Sequence, residues 1–178
     1  MIIKKARDLP PLAATLTPTQ EGDVLELDVL ELDELWSFVF RRKDKRWIWL
    51  AQCRRTRQVV AYCTGRPGRR HRGPQRGHLP PLVGACPARL QDGPALHGLL
   101  GGLYEVLPQG LHRATGKGAG QTCHIERFNN VLRQRLGRLV RRTLSFSKID
   151  AMHENCLRIF LHEYNQPNKR KVELIRLV

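Results

Sequence analysis

Residues 23–39 read Asp23-Val-Leu-Glu-Leu-Asp-Val-Leu-Glu-Leu-Asp-Glu-Leu-Trp-Ser-Phe-Val39, and Val-Leu-Glu-Leu-Asp occurs twice in tandem, at 24–28 and 29–33. Leu25, Leu27 and Val29, then Leu30 and Leu32, alternate with a period of two that changes phase at the repeat junction. Such a period is that of a strand with one buried face, here with its register left open. Downstream, Arg46-Trp-Ile-Trp-Leu-Ala-Gln-Cys53 and Gln58-Val-Val-Ala-Tyr62 are rich in β-branched and aromatic residues, and the basic connector 54–57 separates them. The pattern predicts three antiparallel strands, over 24–40, 46–53 and 57–63.

The acidic character of this opening is set against a basic chain. Among 178 residues there are 31 Lys and Arg but 16 Asp and Glu, a net charge of +15, which points to a polyanionic partner. Eight of the acids lie in residues 1–36, so residues 37–178 hold 28 basic and eight acidic side chains. A hydrophobic fraction of 41% is enough to offset the chain entropy lost on folding, and one domain with a core is expected. Pro10 and Pro11 interrupt the basic start and no apolar run follows, so neither a signal peptide nor a membrane partner is expected. The five cysteines form no C-x-x-C pair, which suits reduced thiols in a cytoplasm.

Between Gly65 and Leu103 the composition changes: of 39 residues nine are Gly, six Pro and six Arg, and no helical or strand period survives. This stretch is expected to be disordered. Past Tyr104 patterning resumes. Ile125, Phe128, Leu132, Leu136, Leu139 and Val140 recur at helical spacing, predicting a helix over 122–142 with Arg127, Arg135, Arg138 and Arg142 on another face and Arg133 and Arg141 beside them. A second helix is predicted from an N-cap at Ser147, with Asp150 three residues on, to Asn165 before Pro167, followed by a basic tail. The expected organisation is an N-terminal extension, 1–22, a folded domain, 23–165, and the tail, 166–178.

Phosphoryl transfer with two metals needs carboxylates on rigid elements, because hard Mg²⁺ or Mn²⁺ ions prefer oxygen ligands. Asp33, at the end of an apolar strand segment, and Glu126, at the start of the arginine helix, are acids of this kind. Helix N-termini favour carboxylates in any case, and spacing alone leaves both open. A zinc site from Cys123, His124, His153 and Cys156 is the weaker alternative, since Cys156 falls on an apolar stripe where buried cysteine is common.

Four strings carry a resemblance: Leu-Glu-Leu-Asp33-Glu-Leu-Trp-Ser-Phe-Val; Lys-Arg-Trp47-Ile-Trp with Cys-Arg-Arg-Thr-Arg-Gln58; Gly-Gln-Thr122-Cys-His-Ile-Glu126-Arg-Phe-Asn-Asn-Val-Leu-Arg-Gln-Arg-Leu; and Arg-Arg-Thr143-Leu-Ser-Phe-Ser-Lys148. Over 11–63 and 104–165 the chain closely resembles the InsB-type transposases of insertion sequence one. The resemblance implies an α/β, ribonuclease-H-like catalytic core of the DDE class, with Asp33 at the first acid and Glu126 at the third. It implies Mg²⁺ or Mn²⁺, cleavage at transposon ends to free a 3′-hydroxyl, and direct attack of that hydroxyl on target DNA, in a protein acting on the nucleoid. Phosphate contacts are expected from Arg127, Asn130, Arg133, Arg135, Arg138, Arg141, Arg142 and Lys148, with Asn129 and His124 near sugar or the scissile phosphate. Homo-oligomers and a separate or fused N-terminal protein that binds transposon ends are the implied protein partners.

Two departures matter. The family's N-terminal zinc finger and helix-turn-helix have no counterpart in this sequence, so sequence-specific end binding is not expected of this chain alone. The middle acid falls in the Gly/Pro/Arg stretch, whose sole acid is Asp92, and no Asp stands at the matching place. The tandem repeat leaves Asp28 as a rival for the first acid; the Glu-Leu-Trp-Ser-Phe-Val string directly after Asp33 favours Asp33. Read one base earlier, GC-rich codons for the family's Tyr-Thr-Asp-Phe-Trp-Glu-Ala-Tyr become Leu-His-Gly-Leu-Leu-Gly-Gly-Leu, residues 96–103. The same offset turns Gly-Asp-Arg into Gly65-Arg66-Pro67. The expectation is a frame-shifted middle in which Gly98 replaces the Asp, the strand and helix around it do not form, and the protein binds DNA without transposing. A non-enzymatic DNA-binding remnant is the alternative to an enzyme.

Overall fold

The computed structural model describes residues 2–17, 29–66, 86, 95–97, 112–114 and 121–176. Strands β1 (Leu30–Phe38), β2 (Lys45–Cys53) and β3 (Val59–Gly65) form where the aromatic and β-branched runs lie. They pair antiparallel, with Asp33 opposite Leu50 and Ala51 opposite Ala61. The first copy of the tandem repeat, 24–28, lies outside the described residues.

The sheet is larger than the three antiparallel strands expected. Strand β4 (Ala95–His97) runs parallel to β1 on its other edge, Leu30 level with Ala95 and Leu32 with His97, and β5 (His112–Ala114) runs parallel to β4. The strand order is β3-β2-β1-β4-β5, a mixed sheet. Little regular structure is expected across 64–103; the expectation that fails is that no strand forms beside residue 98, since Ala95–His97 is one. Leu30–Leu32 presents backbone donors and acceptors at an open edge, and a parallel segment satisfies them whatever its helix or strand period. The rest of 67–103, apart from Cys86, lies outside the described residues.

Both sheet faces are covered. On one, Leu30, Leu32, Trp49, Ala51 and Ala61 pack together; on the other, Leu35, Ile48, Leu50 and Val59 meet helices α2 (Cys123–Arg135) and α3 (Asp150–Arg176) through Ile125, Phe128, Leu132, Leu157 and Leu161. Phe128 packs against Tyr164 with the rings tilted, at 4.5 Å between centroids. Helix α1 (Ile2–Arg7) and a 3-10 turn at Leu12–Thr15 pack against α3. Asn165, fully buried, donates to Thr15 Oγ1 and the Val59 carbonyl and accepts the Val59 N–H, stitching α3 to β3 and to the N-terminal segment.

Three helix boundaries differ from expectation. Helix α2 stops at Arg135, not 142, because Leu136 is extended and a 3-10 turn at Gly137–Leu139 follows. That break lets Leu139, 1% exposed, reach the core, which a continuous helix would have carried past it. Arg138, Arg141 and Arg142 are consequently not on a face of this helix. Ser147 does not cap α3, which starts at Asp150; Ser147 is buried, bridges Val39, and its carbonyl accepts the Phe40 N–H at 2.7 Å. Arg46 instead holds the helix start through paired bonds to Asp150, at 2.6 and 3.1 Å. Finally, α3 continues through Pro167 to Arg176 rather than ending at Asn165. The proline removes a bond to the carbonyl of Glu163, an exposed residue whose carbonyl water can serve.

Residues 139–147 then pass β1 beyond its described pairing with β4. Arg141 lies over the Trp36 ring at 5.0 Å, and Phe146 packs on Phe38 at 5.6 Å. An otherwise open strand edge is thereby covered. Among the described residues no helix is long and apolar enough to cross a membrane.

Candidate active site on strand β1 and helix α2

Alternation along β1 puts Glu31, Asp33, Leu35 and Ser37 on one face, and that face meets the helices. Three of these four are polar, and each has a partner there. Glu31, 0% exposed, accepts the backbone N–H groups of His124 and Ile125 at 3.0 Å each, and Arg54 Nε donates to its other oxygen at 2.8 Å. Arg54 also donates to the Gln121 carbonyl. A sheet carboxylate thus satisfies the first orphan donors of α2, whose Thr122 makes no side-chain cap bond to the backbone.

One step along β1, Asp33 Oδ2 accepts a hydrogen bond from Asn129 Nδ2 at 2.7 Å. Glu126, Asn129 and Arg133 stand at i, i+3 and i+7 of α2, so they form one polar stripe beside the apolar stripe of Ile125, Phe128 and Leu132. Burial raises the Asp33 pKa; the Glu34 backbone and Asn129 oppose that, the Glu126 charge adds to it, and Arg133 lowers it. The charges of Glu126 and Arg133 therefore both act on Asp33, in opposite directions. Glu126 itself is exposed and accepts a 2.7 Å bond from Thr122 Oγ1. On the opposite face, burial and then the charge of Asp33 push Glu34 up to about 7.

The arginines divide. Arg127, Asn130, Arg135, Arg142 and Lys148 are exposed. Arg133 is turned in: it donates to the Leu139 carbonyl at 3.0 Å, and burial first, then Arg141, lower its pKa while Asp33 raises it. Arg138 reaches the Ser147 hydroxyl at 3.5 Å, and Arg141, though exposed, lies over the Trp36 ring. Sequence reasoning missed Glu31 and Arg54 and assigned Asn129 to substrate rather than to Asp33. The spacings 31/33 on a strand and 126/129/133 on a helix were the available signals.

Among the described residues no group of three His, Cys, Asp or Glu is gathered that could hold a metal ion. The Asn129 Oδ1 oxygen, buried beside Asp33, has no hydrogen-bond partner among them. His153, proposed above for zinc, is instead 5% exposed and bonds Ser37 Oγ at 2.7 Å. Its pKa is lowered, chiefly by burial. A depressed histidine contributes stability that is present above its unfolded value near 6.5 and is lost as pH falls below it. Chemical denaturation is expected to show stability declining from about pH 6.5 downward, and His153→Gln to flatten that decline; an unchanged profile rejects this role for His153.

A family model described as IS1 transposase matches residues 100–166. The chain is 31% identical over 136 residues to the insertion element iso-IS1n protein InsB of Shigella dysenteriae, covering 76% of this chain and 95% of that protein. It is 32% identical over 132 residues to the insertion element IS1 4 protein InsB of Escherichia coli strain K12, covering 74% and 72%. To the insertion element IS1 protein InsB of Shigella sonnei it is 31% identical over 132 residues, covering 74% and 92%.

Proposed function

The chain belongs to the IS1 transposase family as an InsB-type member, and from that premise we propose that it binds DNA through its exposed arginines around a ribonuclease-H-like, DDE-type site that lacks one acid. The observation that carries this reading is the polar stripe of α2 set against β1, with Asn129 bonded to Asp33 and Glu126 electrostatically coupled to it. Residues 23–165 form the domain that carries this incomplete site, in a protein working on the nucleoid.

Mg²⁺ or Mn²⁺ fits the donor chemistry: Asp33 and Glu126 offer carboxylate oxygens, and Asn129 Oδ1 is a buried oxygen in want of a partner. Such an ion, when bound, withdraws charge from a scissile phosphate and lowers the pKa of an attacking water. The chain's own residues do the rest. Glu31 and Arg54 hold the start of α2, Asn129 orients the Asp33 carboxylate, and Arg133 balances the paired negative charges. Arg127, Asn130, Arg135, Arg142 and Lys148 bind backbone phosphates, while Arg138 and Arg141 support the loop that follows α2. Transposon ends and target DNA are the substrates, met as a homo-oligomer or beside an end-binding protein.

The middle acid is the missing part. The described β1–β4 ladder ends at Leu32 and His97, one residue short of Asp33 on one strand and of Gly98 on the other. Glycine offers no carboxylate. The protein is accordingly a DNA binder without strand-transfer activity, its middle segment read in a shifted frame.

The test is salt-dependent binding to duplex DNA. The double variant Arg127→Gln, Arg135→Gln is expected to weaken binding and to reduce the slope of log K against log salt by about 2, near 0.9 per phosphate lost. Arg133→Gln should instead lower the melting temperature, since its guanidinium serves Leu139 and Asp33. Duplex binding with no salt slope, or a slope unmoved by the double variant, rejects the proposed interface.

A further inference from the structure

The β1–β2 hairpin ends in Phe40, Arg41, Arg42 and Lys43, and Phe40 is 54% exposed with φ at 63°. For a bulky aromatic this left-handed conformation is an outlier; Asn or Gly would occupy it with less strain. The position therefore carries two costs at once, strain and an exposed ring. Beside it, Ser147 anchors the neighbouring segment through its carbonyl on the Phe40 N–H, and Ile149, two residues on, is also 54% exposed. Leu144 of that segment is 97% exposed.

The charge around these apolar groups is mostly of one sign, four cations against Asp44 of the same turn and Asp150. Arg41, Arg42, Lys43 and Lys148 are all exposed, and the Arg41 guanidinium lies over the Phe40 ring at 5.2 Å. Of the nearby acids, Asp150 is already paired with Arg46 and Arg66. An aromatic ring and a guanidinium plane are the two side-chain surfaces on which unpaired nucleobases stack, and cations beside them hold the backbone. A protein partner would more often meet such an apolar patch with few charges at its centre.

We propose that the Phe40 tip is a stacking platform for an unpaired nucleobase of DNA held on the β1 site. This deepens the DNA-binding reading above and rests on it. Phe40 lies seven residues beyond Asp33, which at about 3.3 Å per residue is on the order of 23 Å. At about 3.4 Å per base step, that reach spans roughly seven steps from a phosphate at Asp33. The platform would hold strands open near a cleaved end.

The test measures binding of the full chain to a short duplex and to the same duplex with a central unpaired bubble. The wild type is expected to prefer the bubble on the order of tenfold. Phe40→Asn, which suits the left-handed backbone, should abolish that preference while leaving duplex binding within about threefold and raising the melting temperature by about 2–4 °C. Phe40→Trp should retain the preference. No preference in the wild type, or one that survives Phe40→Asn, overturns the platform, as does equal loss on both DNAs. A concentration-dependent dimer that Phe40→Asn dissolves, with no bubble preference, would overturn it in favour of a second copy of this chain. Absence of duplex binding altogether would reject instead the DNA reading on which it rests.

Discussion

Re-reading codons 64–103 in the frame that restores an Asp at position 98 is expected to raise strand transfer from background by on the order of a thousandfold. Asp33 is held at mid-strand by Asn129, and the charge of Glu126 on α2 acts on it, so the proposed function has two of its acids close together. Beside them β4 runs parallel with β1 up to Leu32 and His97, and residue 98 follows His97 directly in the chain. Metal-assisted phosphoryl transfer depends on neutralising several developing negative charges, worth several kcal/mol, and about 1.4 kcal/mol is a factor of ten. The assay is strand transfer of a pre-cleaved transposon end into plasmid. The re-read chain should be active with Mg²⁺ or Mn²⁺ and silent again on Glu126→Gln. If the gene yields no Asp-Phe-Trp string at codon 98 in a shifted frame, the frame hypothesis fails; if the present chain transfers strands, its impairment fails.

Glu31→Ala is expected to be the most destabilising single substitution on β1, lowering stability by about 3 kcal/mol. It leaves two N–H groups at the start of α2 without their acceptor and strips Arg54 of its charge partner. Arg54 is about one-third exposed and can turn to water, which keeps the loss at the lower end for a broken buried pair. In a chain of this size the melting temperature should drop by roughly 6–12 °C. Glu31→Gln, retaining one oxygen toward the helix, should fall between the wild type and Glu31→Ala. Equal melting temperatures for all three proteins would show that α2 does not depend on this carboxylate.

Much of the architecture is legible from local pattern. The runs 46–53 and 58–62 carry enough aromatic and β-branched residues that strands form within two residues of where they are expected, at Lys45–Cys53 and Val59–Gly65. Strand β4 was not legible. Ala95-Leu-His97 carries no period, and it pairs because β1 has an edge to fill. Nor was the end of α2, where the apolar stripe runs on through Leu136, Leu139 and Val140 as though the helix continued. Gly137 and the need to seat Leu139 in the core decide that boundary, and a stripe read on an ideal helix cannot register either.

The candidate site divides in the same way. Asp33 and Glu126 could be named from the chain because each sits in a string that resembles its family position by position, and their element types follow from periodicity. What those residues touch is a matter of packing between segments far apart in sequence. Glu31 meets His124 across 93 residues, Asn129 meets Asp33 across 96, and Ser37 meets His153 across 116. Alternation alone leaves open which β1 face turns to the helices, because Leu30 and Leu32 favour one side and Leu35 the other. Docking α2 and α3 over Leu35 settles it, and Glu31, Asp33 and Ser37 are carried to that side by the same period of two. The partners that make two acids a site are therefore chosen by the sheet–helix interface, whose free energy comes from apolar burial and not from the polar residues themselves.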